Sequence, residues 1–82
     1  MIKIYGSMLC GDCVQCRDAL DKANVPYEYL DFSENLRNLK EFLLIRDTHT
    51  LFQQVREEGS IGIPCIVKED GTVTLDWSEL LM

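Results

Sequence analysis

Ile2-Lys3-Ile4-Tyr5-Gly6-Ser7-Met8-Leu9-Cys10-Gly11-Asp12-Cys13-Val14-Gln15-Cys16 changes its periodicity half-way along. Ile2 to Tyr5 alternates with a period of two, which predicts a β-strand, and Gly6-Ser7 closes it. From Asp12 or Cys13 to about Asn24 the spacing becomes helical. Cys13, Cys16, Leu20 and Ala23, joined by Ala19, fall three or four apart on one face, while Arg17, Asp18, Asp21 and Lys22 lie largely off it. Cys10-Gly11-Asp12-Cys13 therefore stands where a strand hands over to a helix. A thiol at a helix N-terminus feels the positive end of the backbone dipole, which favours the nucleophilic thiolate. A second thiol three residues on can displace whatever the first has bound as a mixed disulfide.

Outward from this stretch, Asn24-Val25-Pro26 ends the helix, because proline disfavours helical geometry in the residue before it. Tyr27 to Phe32 alternates with aromatic residues and predicts a second strand. Ser33 or Asn35 caps a second helix, carried by Leu36, Leu39, Lys40, Phe42, Leu43 and Leu44 and ending near Arg46. Asp47-Thr48-His49-Thr50 is a capping interruption. Leu51, Phe52 and Val55 then give a further apolar face that runs to a glycine stop at Gly59. Ile61-Gly62-Ile63-Pro64 leads into a strand over Cys65-Ile66-Val67, Glu69-Asp70-Gly71 makes a hairpin turn, and Thr72 to Leu75 returns. Trp77 to Met82 has room for little more than one helical turn. The order β-α-β-α-(α)-β-β-(α) predicts an α/β chain with a small mixed sheet and helices on its faces. Phe32 and Trp77 are expected in the core, and His49 in solvent.

Eighty-two residues suit one domain over 1–82, and a hydrophobic content of 46% is enough for a real core. The net charge of −6 comes with scattered lysines and arginines and no basic stripe, so a nucleic-acid partner is not expected. No apolar run reaches membrane-spanning length, and the chain starts a strand at once without a basic leader or apolar h-region. A cytoplasmic location is the expectation that follows. In that compartment cysteines at CxxC spacing are more often catalytic or metal-binding than structural.

Ile4-Tyr5-Gly6, Cys10-Gly11-Asp12-Cys13, and Ile63-Pro64-Cys65-Ile66-Val67 with its hairpin together resemble the glutaredoxin branch of the thioredoxin fold. The resemblance covers most of the chain, and the overall likeness is to divergent bacterial glutaredoxin-related proteins. It implies a thioredoxin-like fold with a four-stranded mixed sheet flanked by helices. It also implies a cis Ile63–Pro64 bond packed against the dithiol; a monomer is the expected state of the chain. The implied activity is thiol–disulfide exchange, with Cys10 as nucleophile, Cys13 as resolving thiol, and Gly11, Asp12, Ile63 and Pro64 as the substrate-binding set. The implied partner is a disulfide-containing protein or a low-molecular-weight thiol. Gly11 and Asp12 stand where the family usually has proline and tyrosine. Ser7 stands about where a lysine often precedes the motif, and Leu75-Asp76-Trp77-Ser78 replaces a Gly-Gly pair. Asp76-Trp77-Ser78 is loosely similar to the glutaredoxin-like electron donors of ribonucleotide reductase, which a thioredoxin reductase reduces. Glutathione or a thioredoxin-type reductase is the expected electron source, and no bound organic cofactor is required.

Five further readings belong to the level of sequence. Cys13-Val14-Gln15-Cys16 is a second CxxC, but Cys13 as nucleophile would sit about one turn into the helix, where the dipole has faded. Cys16 lies on the apolar stripe and reads as a packing residue, with an auxiliary redox role as the alternative. Cys65 divides evenly between packing residue and auxiliary thiol. Asp12 in the first turn stabilises the helix and repels a thiolate at Cys10. The rival function is a cysteine-ligated iron–sulfur or zinc protein using Cys10, Cys13, Cys16 and Cys65. Against it, Cys10 and Cys16 would stand roughly 9 Å apart along a helix axis at about 1.5 Å per residue.

Overall fold

The alternating segment near the start of the chain forms strand β1 (Ile2–Gly6) inside a four-stranded sheet, in a computed structural model that describes residues 1–81. Helix α1 (Gly11–Lys22) follows, and it closes with the Ala23 N–H donating to the Ala19 carbonyl and the Asn24 N–H to the Asp21 carbonyl. Asn24 takes a positive φ of 58°, a conformation asparagine tolerates, and reverses the chain ahead of Pro26. Strand β2 (Tyr27–Asp31) then pairs in parallel with β1, with Ile4 opposite Tyr29 and Gly6 opposite Asp31. Helix α2 (Leu36–Thr48) is capped by the Asn35 side chain, which accepts from the Arg37 N–H at 2.9 Å.

The polar interruption after α2 is a short 3-10 turn, Thr50–Phe52, leading into α3 (Gln53–Glu58) and the left-handed Gly59. His49, expected in solvent, is instead half-buried and caps this turn. Its Nδ1 accepts from the Leu51 N–H at 3.1 Å, and its ring meets Phe52 edge-on. Strands β3 (Cys65–Val67) and β4 (Val73–Thr74) form the antiparallel hairpin, with Gly71 at φ 89° in the turn. A second 3-10 turn over Trp77–Leu81 ends the described chain; Met82, the last residue of the expected C-terminal turn, lies outside the described residues.

The sheet order is β2-β1-β3-β4, with β1 parallel to β2 and antiparallel to β3. This is the α/β arrangement of the thioredoxin-like fold class: a mixed four-stranded sheet with helices on both faces. Strand alternation sends neighbouring residues to opposite sides. Ile4 and Ile66 pack with Cys16 and Leu20 of α1, and with Trp77 and Leu80 of the C-terminal turn. Tyr5 and Cys65 pack on the other face with Phe42 of α2 and Phe52, bordered by Phe32 and Leu39. Phe42 stacks on Phe32, meets Phe52 edge-to-face and lies against Tyr5, so four aromatic rings fill this second layer. Phe32 and Trp77 thus lie at the core, both partly buried. Among the described residues, no helix is long and apolar enough to cross a membrane.

Candidate functional site

Cys10 is the N-cap of α1. Its backbone is extended (φ −100°, ψ 123°), and its Sγ accepts from the Cys13 N–H at 3.4 Å. A sulfur thus occupies the place usually taken by a serine or aspartate oxygen, facing the free amides of the first turn. The Cys10 carbonyl accepts from Val14 at 3.1 Å, and the Cys10 N–H donates to the Ser7 carbonyl at 3.1 Å. Gly11 and Asp12 occupy the exposed first turn, and Asp12 places its carboxylate there, where it complements the helix dipole.

The loop that delivers Cys10 is braced by three residues whose role sequence reasoning missed. Ser7 is buried; its hydroxyl accepts from the Leu9 N–H at 3.1 Å and donates to Ser33 Oγ at 3.2 Å. Asp31, at the end of β2, accepts from the Ser33 N–H at 2.8 Å, from the Ser33 hydroxyl, and from the Met8 N–H at 3.4 Å. The Ser33 hydroxyl bond, followed by the backbone N–H bonds, holds the Asp31 carboxyl below its usual range. Asp31-Phe32-Ser33 carries the local signal of an Asx turn. Its link to Ser7 and Met8 exists only because β1 and β2 pair with Gly6 opposite Asp31.

Cys10 opens onto a groove of about 430 Å³ lined by Ser7, Leu9, Phe32, Ser33, Ile61 and Ile63 as well as the thiol itself. Leu9 is 90% exposed and Ile61 56%, and no charged side chain lines the groove. The Ile63–Pro64 bond is cis, as the resemblance implies; Ile63 is half-buried on the groove wall, and Pro64 is buried. The structure therefore brings Cys10 and Ile63 together, while Gly11 and Asp12 stand outside the groove lining. A second hollow of about 300 Å³ lies at the far end of β1, between Ile2, Lys68, Glu69, Asp70 and Leu80, and contains no thiol.

All four cysteines carry free thiols, and they differ in surroundings. Cys10 is half-buried, whereas Cys13, Cys16 and Cys65 are fully buried. Burial pushes the thiols of Cys13 and Cys65 up to about 12 and that of Cys16 up to about 11, so all three stay protonated at neutral pH. Cys16 belongs to the layer under α1, and Cys65 to the layer under α2, with the sheet between them. This corrects the metal-site reading of Cys10, Cys13, Cys16 and Cys65. Thiols on opposite faces of one sheet cannot share an ion, and among the described residues no group of three or more histidine, cysteine, aspartate or glutamate side chains is placed to hold one.

No protein-family model matches the chain, and no solved structure matches it. Among curated proteins, an uncharacterised protein of Haemophilus influenzae is 34% identical over 77 residues, a stretch that covers 94% of this chain and 90% of that protein.

Proposed function

The chain belongs to one family with this uncharacterised Haemophilus influenzae protein, and we propose that it is a dithiol, glutaredoxin-like thiol–disulfide oxidoreductase. One observation carries the reading: Cys10 caps α1, with its sulfur facing the Cys13 amide at the mouth of an apolar groove. In this reading the Cys10 thiolate attacks a target disulfide. One target sulfur leaves as a thiolate and takes up a proton, and the other stays bound to Cys10. Cys13 then loses its proton and attacks the Cys10 sulfur, which releases the second target thiol and leaves a Cys10–Cys13 disulfide. Two electrons from an external thiol, glutathione or a thioredoxin-type reductase, restore the pair. The cycle requires no bound cofactor, and we assign it to a monomeric domain spanning residues 1–82 in the cytoplasm.

The groove supports a substrate whose disulfide has apolar neighbours, because Leu9, Phe32, Ile61 and Ile63 offer apolar surface and no cation waits for a carboxylate. A protein disulfide in an extended segment fits it better than free glutathione, with Ile63 and Pro64 alongside and Gly11 and Asp12 bordering the thiol. Cys16 and Cys65 serve as packing residues, because each lies inside a core layer, whereas the equally buried Cys13 stands next to Cys10 with its N–H on the Cys10 sulfur. The test is reduction of a protein disulfide under a steady supply of dithiol reductant. Cys10→Ser is expected to abolish turnover, and Cys13→Ser to accumulate a covalent adduct with the target, visible as a mass increase. Turnover by Cys10→Ser would remove the nucleophile from this scheme.

A further inference from the structure

The Cys13 sulfur shares a confined space with a second polar atom that the exchange cycle does not employ. A Cβ placed on Gly6 would lie 2.8 Å from Cys13 Sγ and 2.9 Å from Tyr29 Oη, so both atoms crowd over the same side-chain-free position of β1. Tyr29 reaches it from β2, where it stands opposite Ile4 in the parallel ladder. Its hydroxyl is buried and has no hydrogen-bond partner among the described residues. Native proteins seldom leave a buried donor unpaired, and a redox or catalytic role is one recognised reason for doing so. A protonated thiol is a weak acceptor; a thiolate is a strong one. The donor is therefore orphaned while Cys13 rests as a thiol, and gains a partner when Cys13 becomes charged.

We propose that the Tyr29 hydroxyl is a hydrogen-bond donor that, alongside the Ser7 backbone, stabilises Cys13 as a thiolate, both when Cys13 attacks the mixed disulfide on Cys10 and when it is expelled from the Cys10–Cys13 disulfide. The inference rests on the reading of Cys13 as the resolving thiol. In the forward step the Cys13 S–H gives its proton to water and its sulfur forms a bond to Cys10 Sγ. The bond from Cys10 to the target breaks, and the electron pair departs with the target sulfur, which is then protonated. On re-reduction an incoming thiolate bonds to Cys10, and the electron pair of the enzyme disulfide moves onto Cys13. Tyr29 keeps its own proton throughout: desolvation, first, and the neighbouring Cys13 both raise the pKa of its phenol. An interaction made only with the charged sulfur lowers the barrier without holding the resting state.

Groups of both signs surround this pair. The Arg17 guanidinium of α1 lies 4.5 Å from the Tyr29 ring centroid, held there by Tyr27 Oη at 3.4 Å and Met8 Sδ at 3.0 Å. A cation over the ring withdraws electron density from the phenol and strengthens its O–H as a donor. Asp31 opposes it from the end of β2, and Cys10 from the helix N-cap. Arg17 is accordingly a positioning residue that acts through Tyr29.

An aromatic disulfide reagent, 5,5′-dithiobis(2-nitrobenzoate), separates the two steps. Cys10 releases one coloured thiolate as it takes up the reagent, and Cys13 releases the second as it resolves the adduct. In Tyr29→Phe the second phase should slow relative to the first by about tenfold or more, the loss expected for a hydrogen bond to a charged atom, and its pH profile should move upward. Arg17→Gln, which keeps the hydroxyl, should slow the second phase in the same direction by less. Tyr29→Phe should also unfold at the same or a higher urea concentration, because it removes a buried donor that has no partner; a purely structural hydroxyl would give the opposite sign. Unchanged phases and an unchanged pH profile in Tyr29→Phe, with a wild-type chain that shows both phases, would overturn the inference alone. A wild-type chain that takes up the reagent but never releases the second thiolate would overturn the dithiol reading itself.

Discussion

Gly6 is where the backbone yields space to chemistry. It lies at the end of β1 and is buried, and nothing but hydrogen could occupy the position that Cys13 and Tyr29 crowd. In Gly6→Ala the new methyl meets a fully buried sulfur rather than the free end of a flexible chain, so it cannot be accommodated by a simple rotation. Overpacking of this kind costs about 1–3 kcal/mol, which urea denaturation at neutral pH would register as a lower midpoint with an unchanged slope. A midpoint equal to that of the wild type would mean that α1 can shift away from β1 without loss. The cysteine spacing was legible in the sequence, and so was the helix that Cys10 caps. The Tyr29 hydroxyl was not, since its approach to Cys13 depends on which residue of β2 falls beside β1, and no local pattern encodes that register.

Elements hold the groove in shape through a small number of side chains that reach across from α2. Arg46 donates from Nε to the Ile61 carbonyl at 2.9 Å and from Nη2 to the Ser60 carbonyl at 2.6 Å, tying the approach to the cis-proline to the end of α2. Arg56 of α3 in turn donates to the carbonyls of Arg46 and His49, joining the two helices across their break. Gly62, at φ 89°, passes so close to Phe52 that a Cβ would lie 2.7 Å from the ring. Arg46→Gln is expected to raise KM for a protein disulfide several-fold and to leave kcat within about twofold, because the loop bearing Ile61 and Ile63 loses its anchor while the thiols keep theirs. A fall in kcat with KM unchanged would contradict this. Element order, the break after α2 and the Gly59 stop could be read from periodicity, capping residues and turn glycines. The anchoring of the loop by Arg46 could not, since arginine on a polar helix face is ordinarily solvated. His49 was misjudged for the same reason: its polarity pointed to water, whereas the free N–H of Leu51 supplied a partner.

At the scale of the whole molecule, three thiols buried as neutral groups make stability depend on pH in a definite direction. The pKa values of Cys13, Cys16 and Cys65 rise in the fold from an ordinary 9.0 to about 12, about 11 and about 12. Between those limits the folded chain binds more protons than the unfolded one, so stability falls as pH increases. The contribution is complete below the unfolded value of 9.0 and is lost as pH climbs through about 11 to about 12. Urea midpoints measured across this range should therefore be level at neutral pH and decline on the alkaline side, less steeply in Cys16→Ala. A profile as steep in that variant as in the wild type would assign the decline to other groups. The separation of Cys16 from Cys65 by the sheet has a last consequence for the oxidised chain. Those two thiols cannot bridge while the fold stands, so air oxidation of the native protein has no intramolecular product that staples one core layer to the other.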